Sequence, residues 1–230
     1  MSRLSTVDWP GRLAATLFLQ GCPWDCSYCH NPSLIPARTP GEIGWADVLA
    51  FLRRRRGLLD GVVFSGGEAT RQAALAPAIA DVRELGFAVG LHSAGPYPAR
   101  LARVLPLVDW VGLDIKALPE DYPEVVRRGA SGPRAWESLD LVLARGVDHE
   151  IRTTVYPGSA AAGGALEIAR RVRARGARAF ALQQARPQGT REGFVAAAAG
   201  WDAAAWDAEC AAMAAEMEHL GFERFTYRAG

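Results

Sequence analysis

The sequence predicts an α/β fold built on a mostly parallel sheet, and three observations support that prediction. Six short apolar runs rich in Val, Ile, Leu and Phe recur along the 230 residues, a composition typical of strands buried on both faces. Amphipathic stretches rich in Ala and Arg separate these runs, as in repeated βα units. No linker rich in Pro, Ser or Gly divides the chain, so we expect one domain over residues 1–230. An open barrel and a doubly wound sheet both fit this pattern.

The individual elements follow from the positions of the apolar runs and of the residues that end helices. The six predicted strands cover residues 13–20, 61–67, 87–93, 110–116, 149–155 and 178–184. Helices are predicted near residues 45–56, 72–85, 98–105, 134–145 and 163–175. Four of them are followed by glycines at the expected C-terminal caps, namely Gly57, Gly86, Gly146 and Gly176. A further helix over about 201–219 precedes a short strand candidate at 222–228.

Composition indicates an ordinary globular protein and gives no sign of a nucleic-acid or membrane partner. Half of the residues are hydrophobic and the net charge is +1, so no general attraction to polyanions is expected. The basic run Arg53–Arg56 falls at a predicted helix end, where the helix dipole favours cations. The apolar run Leu13–Leu19 is too short for a bilayer span of about 20 residues, and no signal-peptide pattern precedes the cysteines. We therefore expect a cytoplasmic protein with reduced cysteines.

Unusual polar residues fall repeatedly at the ends of the predicted strands. In parallel α/β folds, the carboxyl ends of the strands form the rim on which active sites lie. In strand order, this rim is predicted to carry Cys22–Cys29, Gly66-Gly67-Glu68, His92-Ser93, Asp114 and Lys116, Arg152 and Thr154, and Gln183-Gln184. Solvated loops would not place charged residues in apolar strand runs so regularly, so we expect one shared site.

Three of the four cysteines lie in the stretch GCPWDCSYCHN, with the spacing C-x3-C-x2-C. Three thiolates on one tight loop can bind three irons of a [4Fe–4S] cluster and leave the fourth iron open to a small molecule. A structural zinc site is the alternative, but it requires four ligands. His30 adjoins Cys29 and is sterically awkward as the fourth ligand, and Cys210 lies far away in a predicted helix. Cys210 is expected to be a buried small apolar residue.

The cysteine motif resembles that of the radical S-adenosylmethionine (SAM) enzymes, which also carry an aromatic residue, here Tyr28, before the last cysteine. The segment Ser65-Gly66-Gly67-Glu68 strengthens the resemblance, which covers about residues 6–187. It implies a partial (β/α)6 barrel for this core and a helical extension over about residues 195–230. It also implies that Cys22, Cys26 and Cys29 hold a [4Fe–4S] cluster whose open iron binds SAM. Reductive cleavage of SAM then yields a 5′-deoxyadenosyl radical that abstracts hydrogen from the substrate.

Two flanking motifs narrow the resemblance to one group within that family. Val7-Asp8-Trp9-Pro10-Gly11 precedes the cysteines and His30-Asn31-Pro32 follows them. This order is similar to that in the activases that install a radical on a backbone glycine of a glycyl radical enzyme. The small chain looks most like the activating protein of anaerobic ribonucleoside-triphosphate reductase, with pyruvate formate-lyase activases as near neighbours. Only Cys210 remains for an additional cluster, so flavodoxin or ferredoxin is expected to supply the electron.

The resemblance also implies which residues bind the cofactor. They are Tyr28, Gly66, Gly67, Glu68, Ser93, Asp114, Lys116, Arg152 and Gln183. The Gly-Gly-Glu segment would hold the methionyl amino group, and the Asp-x-Lys pair would lie near the methionyl carboxylate and ribose, although a structural ion pair is an alternative for that pair. The arginine suits a bidentate carboxylate contact. The glutamine would lie near the adenosine, and strand alternation leaves open whether Gln183 or Gln184 faces inward.

One position departs from the pattern of the pyruvate formate-lyase activases. These carry Asp-Thr at the end of strand three, used at a monovalent cation, where this chain has His92-Ser93. A protonated histidine would oppose a cation, so we expect either that the cation is absent or that His92 is turned away. This favours the reductase-type activase.

Two other functions are consistent with parts of the pattern. One is a radical enzyme acting on a small molecule, of the 7-carboxy-7-deazaguanine synthase kind, against which the two flanking motifs argue. The other is an electron carrier, which would require a fully ligated cluster.

The segment 195–219 has apolar residues at helical spacing, at Trp206, Cys210, Met213 and Met217. They are expected to pack in the core.

Overall fold

Eight strands form one curved sheet in the computed structural model, which describes residues 1–230. They are β1 (Ser2–Ser5), β2 (Ala14–Leu19), β3 (Gly61–Gly66), β4 (Ala88–Ser93), β5 (Trp110–Asp114), β6 (Asp148–Val155), β7 (Ala179–Gln184) and β8 (Arg224–Arg228). Their order in the sheet follows the chain; β1 is antiparallel to β2 and all later pairs are parallel. The two edge strands do not pair with each other. The prediction of an open α/β barrel is confirmed.

The sheet has two strands more than the six predicted units. Strand β8 lies where the sequence indicated a strand candidate, and it continues the parallel sheet beyond β7. Strand β1 was not predicted because its four residues include a single apolar side chain, Leu4, and form no apolar run or alternating pattern. Its pairing with β2 carries the chain past the amino ends of the parallel strands, and residues 6–12 then enter the barrel.

Helices follow most strands and cover the outer face of the sheet. They are α1 (Trp45–Arg53), α2 (Leu75–Glu84), α3 (Pro98–Val104), α4 (Tyr122–Val126), α5 (Ser131–Arg145), α6 (Ala160–Ala174), α7 (Glu192–Ala198) and α8 (Ala203–Glu218). The short helix α4 was not predicted, and α7 overlaps the start of the segment predicted to be helical from about residue 195. The four capping glycines all have positive φ, as expected at helix ends. None of the helices is long and apolar enough to cross a bilayer.

The main core lies between the outer face of the sheet and the helices, in a cluster of 49 buried residues. One side of α8 belongs to it: Trp206, Cys210 and Met217 are buried, and Met213 is partly buried against the same cluster. The helix contacts α6 and β8, so the prediction that this segment packs in the core is confirmed.

A second, smaller apolar cluster closes the inside of the barrel at the amino ends of the strands. It consists of Trp9, Ala14, Val63 and Trp110. The two tryptophan rings stack with centroids 5.6 Å apart. A Cβ on Gly61 or Gly90 would lie within 3.0 Å of the Trp9 ring, so these positions leave the space that the indole occupies. The Asp8-Trp9-Pro10-Gly11 motif is therefore folded into the barrel, where Trp9 forms its floor.

Candidate functional site

A cavity of about 350 Å³ opens at the carboxyl ends of the strands. All twelve site residues predicted from the sequence line it: Cys22, Cys26, Cys29, Tyr28, Gly66, Gly67, Glu68, Ser93, Asp114, Lys116, Arg152 and Gln183. They come from the loop after β2 and from the carboxyl ends of β3, β4, β5, β6 and β7 or the residues directly after those strands. The expectation that these residues share one site agrees with their placement in the structure.

The cysteine loop is held by backbone hydrogen bonds to the short turn that follows it. The amide of Gly21 donates to the Leu34 carbonyl at 2.7 Å and that of Cys22 donates to the Ile35 carbonyl at 3.1 Å. The three cysteines are free thiols that face the cavity, with Cys26 buried and the other two partly exposed. These contacts order the loop without using any sulfur as a structural crosslink.

Burial raises the pKa of the Cys22 thiol to about 12 and also raises that of Cys26. The protein alone therefore keeps both thiols protonated at neutral pH, and a bound cation would have to displace their protons. No three Cys, His, Asp or Glu side chains lie close enough together to share a single metal ion. Cys210 is buried in α8, as expected, and takes no part in the cavity.

Tyr28 carries the one buried side-chain polar atom without a hydrogen-bond partner, its hydroxyl. The residue is 5% exposed and lines the cavity. The Lys116 ammonium lies 5.5 Å from the centre of its ring. A buried hydroxyl left unpaired costs about 1–3 kcal/mol, so this position suits a ligand that supplies a polar partner. The donor set of three thiols beside this unpaired phenol fits an iron–sulfur cluster with an organic ligand.

Only glycine fits at positions 66 and 67, because a side chain at either position would collide with neighbouring backbone atoms. Gly66 has φ of +122°, and a Cβ there would lie 2.1 Å from the Leu19 backbone nitrogen. A Cβ on Gly67 would lie 2.7 Å from the Gly21 carbonyl oxygen. The amides of Gly67 and Glu68 also donate to the Leu19 and Gly21 carbonyls, each at 2.9 Å. The glycines thus let the end of β3 approach the start of the cysteine loop.

The Glu68 carboxylate accepts four hydrogen bonds within the protein. Its Oε1 accepts from the Thr70 amide at 3.0 Å, from the Thr70 hydroxyl, and from the Ser93 hydroxyl at 2.9 Å. Its Oε2 accepts from the Ala94 amide at 3.0 Å. Burial raises the pKa of Glu68, although these hydrogen bonds oppose that effect. Glu68 and Ser93 therefore tie the loops after β3 and β4 together beside the cysteines.

Asp114 and Lys116 form an ion pair of 2.9 Å at the end of β5. Burial alone would raise the pKa of Asp114, but Lys116 and then Arg152 outweigh that effect and lower it. Burial would likewise lower the pKa of Lys116, but Asp114 outweighs it and keeps the ammonium charged. The ion-pair alternative raised by the sequence is present, and both side chains also line the cavity.

Arg152 lies beside Asp114 on the neighbouring strand β6, and its side chain reaches toward the floor of the barrel. Its Nε donates to Glu150 Oε1 at 2.8 Å, and its guanidinium lies 5.2 Å from the Trp110 ring centroid. Glu150 also accepts from Arg228 at 2.9 Å. Burial would raise the pKa of Glu150, but the two arginines lower it. Sequence reasoning missed Glu150 and Arg228; a Glu-x-Arg pair on one strand face was the available signal for the first.

His92 is turned toward the floor of the barrel. Its Nε2 lies 2.7 Å from the Asp8 carbonyl oxygen and its Nδ1 lies 3.3 Å from the Ser65 hydroxyl. The short contact with the Asp8 carbonyl fits a neutral ring that donates from Nε2 and accepts at Nδ1; Arg152 Nη1 also lies 3.2 Å from Nε2. Burial, followed by the nearby Arg152 charge, lowers the pKa of His92 to about 4. At neutral pH His92 thus adds no charge to the site. Its partner Asp8, which sequence reasoning left out of the site, also lines the cavity.

The structure distinguishes the two neighbouring glutamines on β7. Gln183 donates to Thr154 Oγ1 at 3.3 Å and accepts from Arg228 at 2.8 Å, both inside the barrel. Gln184 donates to Asp207 of α8 at 3.0 Å and to the Tyr227 hydroxyl at 2.6 Å. Gln183 is therefore the inward residue, and the side-chain amide of Gln184 links the sheet to α8.

A family model described as the Radical SAM superfamily matches residues 16–160. A Methanocaldococcus jannaschii protein, named provisionally as a glycyl-radical enzyme activating enzyme, is 32% identical over 164 residues, which are 67% of this chain and 66% of that protein. The pyruvate formate-lyase-activating enzyme of Clostridium pasteurianum is 33% identical over 160 residues, with the same two shares. The chain thus spans just under two thirds of the length of these relatives.

Solved structures with low sequence identity share the fold. Streptococcus suis SuiB bound to S-adenosylmethionine has a TM-score of 0.71 at 12% identity, covering 94% of this chain and 50% of that one. The protein anSMEcpe with bound AdoMet has a TM-score of 0.60 at 13% identity, covering 75% of this chain and 51% of that one. Both likenesses extend over most of the sheet and its helices.

Proposed function

The chain belongs to the radical SAM superfamily, and we propose that it activates a glycyl radical enzyme, most specifically an anaerobic ribonucleoside-triphosphate reductase. One observation carries the proposal. Three cysteines without another assigned role and the unpaired Tyr28 hydroxyl face the same cavity, beneath which the barrel is closed by tryptophans. The names of the relatives from M. jannaschii and C. pasteurianum support a glycyl-radical partner.

Cys22, Cys26 and Cys29 would hold a [4Fe–4S] cluster, and the polar residues around them would hold SAM. When bound, these groups supply the electron and the 5′-deoxyadenosyl radical that removes a hydrogen atom from the substrate. Tyr28 would donate its free hydroxyl to SAM, and Lys116 presents a positive charge beside it. Arg152 Nε donates to Glu150, and its Nη1 and Nη2 lie 3.2 Å from His92 Nε2 and 3.5 Å from the Asp8 carbonyl oxygen, so it would reach a carboxylate only with its remaining donor hydrogens.

The rest of the barrel would orient the substrate and exclude water. The Trp9–Trp110 floor blocks access from the amino end, so a glycine-bearing segment would enter from the carboxyl rim. Glu68 and Ser93 fix the loops that border this entrance. Gln183 and Arg228 present polar atoms on the wall formed by β7 and β8, where a peptide backbone would find hydrogen-bond partners.

The neutral His92 favours the reductase partner over pyruvate formate-lyase. A monovalent cation at the end of β4 would need anionic or neutral oxygen ligands, but His92 points toward the Asp8 carbonyl and Ser93 donates to Glu68. A pyruvate formate-lyase partner is the second candidate, because several relatives carry that name.

The test is anaerobic and uses both candidate partners. The protein is reconstituted with iron and sulfide, reduced with dithionite, and mixed with SAM and either partner enzyme. We expect 5′-deoxyadenosine together with a glycyl radical signal in electron paramagnetic resonance, stronger with the reductase than with the lyase. A stronger signal with the lyase would select the second candidate. Stoichiometric zinc and no 5′-deoxyadenosine would contradict the proposal altogether.

A further inference from the structure

Four arginines lie on segments that flank the cysteine loop, and one of them, Arg186, also lines the cavity; we call these four the arginine rim. It consists of Arg127, Arg128, Arg186 and Arg191, from two segments that flank the loop. The cysteine loop itself and these two segments, residues 21–31, 126–130 and 185–191, contain these four arginines and a single carboxylate, Asp25. The chain as a whole has a net charge of only +1, so the rim concentrates positive charge at this place.

The rim is fixed directly to the cysteine loop. The Asp25 amide donates to the Val126 carbonyl at 3.0 Å, and Arg128 Nε lies 3.4 Å from the Pro23 carbonyl oxygen. On the other side, Arg191 forms an ion pair with the Asp25 side chain, which lowers the pKa of that carboxyl. The Arg186 carbonyl lies 2.9 Å from His30 Nε2. The backbone of both flanking segments is therefore held at a set position relative to the cysteines.

Most of the positive charge in the rim has no internal partner. Only Arg191 is paired with a carboxylate, while Arg127 and Arg186 make no side-chain hydrogen bond or ion pair. Arg127, Arg128 and Arg186 are exposed. Arg127 and Ala130 are the only two non-glycine residues of the chain with positive φ, at 54° and 52°. Such conformations cost energy and often mark functional segments.

On the basis of the proposed function, we propose that the arginine rim is the docking surface for an acidic one-electron carrier protein. Only Cys210 remains outside the cysteine loop, so the chain has no thiolates for a second cluster and the electron must come from outside. In the transfer, the reduced carrier loses one electron and the cluster gains one, without proton or group transfer. A carrier with carboxylates around its cofactor would be steered to the rim and oriented by it.

The experiment compares two charge reversals at opposite ends of the sheet. Arg127→Glu/Arg128→Glu changes the rim, and Arg54→Glu/Arg56→Glu is the matched control in the exposed basic run at the end of α1. Oxidised flavodoxin and oxidised ferredoxin are the two probes, with Kd measured by calorimetry at several salt concentrations. Cluster reduction by each reduced probe is then followed by stopped-flow absorbance, with dithionite as the small chemical reductant.

We expect the rim variant to bind the favoured probe about 10-fold or more weakly, with a smaller dependence on salt, because steering and charge complementarity are lost. Its reduction by that probe should slow to a similar extent. The control variant should behave like the unchanged protein, and both variants should form 5′-deoxyadenosine normally with dithionite. Which probe responds identifies the carrier. Arg127→Glu alone, at a side chain without contacts, provides the same comparison should the double variant fold poorly.

Three results would overturn the inference. Equal Kd values for the rim and control variants would mean that the rim does not bind the carrier. Loss of glycyl radical formation with dithionite in the rim variant alone would assign the rim to the glycyl-radical partner instead. A salt-independent Kd for the unchanged protein would exclude charge-driven docking. Absence of 5′-deoxyadenosine from the unchanged protein with dithionite would be a failure of the proposed function, and the Kd measurements would still test the rim.

Discussion

The two ends of the barrel are built from the same strands but have opposite character. At the amino end, Trp9, Ala14, Val63 and Trp110 form an apolar floor. At the carboxyl end, the strand ends and the loops that follow them carry ion pairs, a buried carboxylate and an unpaired phenol. Strand alternation sends every second side chain inward, so each strand supplies both environments along its length. The residues that stabilise the barrel and those that line the site therefore lie at opposite ends of the same strands, within one domain.

The distribution of backbone strain follows the same division. Both non-glycine residues with positive φ lie in the segment that contacts the cysteine loop. The floor, by contrast, is relieved of steric conflict by Gly61 and Gly90 beneath the indole. We therefore expect substitutions at the carboxyl end to change cofactor binding and chemistry. Substitutions at the floor should change the free energy of unfolding.

Cys26→Ala should produce the largest effect. It removes one of three thiols at the cavity, so the reconstituted protein should lose most of its iron and form no detectable 5′-deoxyadenosine, because a cluster held by two thiolates is poorly retained. Iron and sulfide content and the electron paramagnetic resonance spectrum measure this. Cys210→Ala is the control, since that residue is buried in α8, and it should keep its iron. A full iron content in Cys26→Ala would refute the ligand assignment.

Trp9→Ala tests the other end. Removing a buried tryptophan from the floor should lower the free energy of unfolding by about 3–5 kcal/mol, through lost burial and the cavity left behind. Urea denaturation measures the change, and Val7→Ala, at a side chain that is 74% exposed, is the control expected to have little effect. A Trp9→Ala protein with unchanged stability but no cluster would reverse the comparison between the two ends.

The floor also shows where sequence reasoning reached its limit. The parallel strands, the polar residues at their carboxyl ends and the helix-ending glycines follow from local composition and spacing, whereas the cofactor roles of the site residues come from the family resemblance. The role of Trp9 does not, because a Pro-Gly turn signal carries no information on the distant residues against which its neighbours pack. The pairing of Glu150 with Arg228 is similarly non-local, since it joins strands 78 residues apart in the chain. Long-range contacts of this kind are fixed by the curvature of the whole sheet, which brings β6 and β8 to the same interior.

His92 lies between the two ends and should make stability depend on pH. Its pKa is about 4 in the folded protein, against about 6.5 in an unfolded chain. Between these values the unfolded chain binds the extra proton, so stability is complete above about pH 6.5 and falls as the pH is lowered toward 4, by about 2–3 kcal/mol. Urea denaturation from pH 7 to 4.5 measures the slope, which His92→Gln should reduce. Parallel stability curves for the two proteins would exclude this role.

Ala130→Gly should have the smallest effect and the opposite sign. Alanine at φ 52° places its Cβ against the following carbonyl, a strain of about 1–2 kcal/mol that glycine relieves. The greater freedom of glycine in the unfolded chain offsets part of this gain, so we expect a net stabilisation of about 0.5–1 kcal/mol. Ala208→Gly, at an exposed position inside α8, should instead destabilise by about 1 kcal/mol. Thermal denaturation of both variants gives the comparison. If Ala130→Gly also destabilises, the turn beside the cysteine loop is not strained, and the carboxyl end of the barrel differs from the floor in its side chains alone.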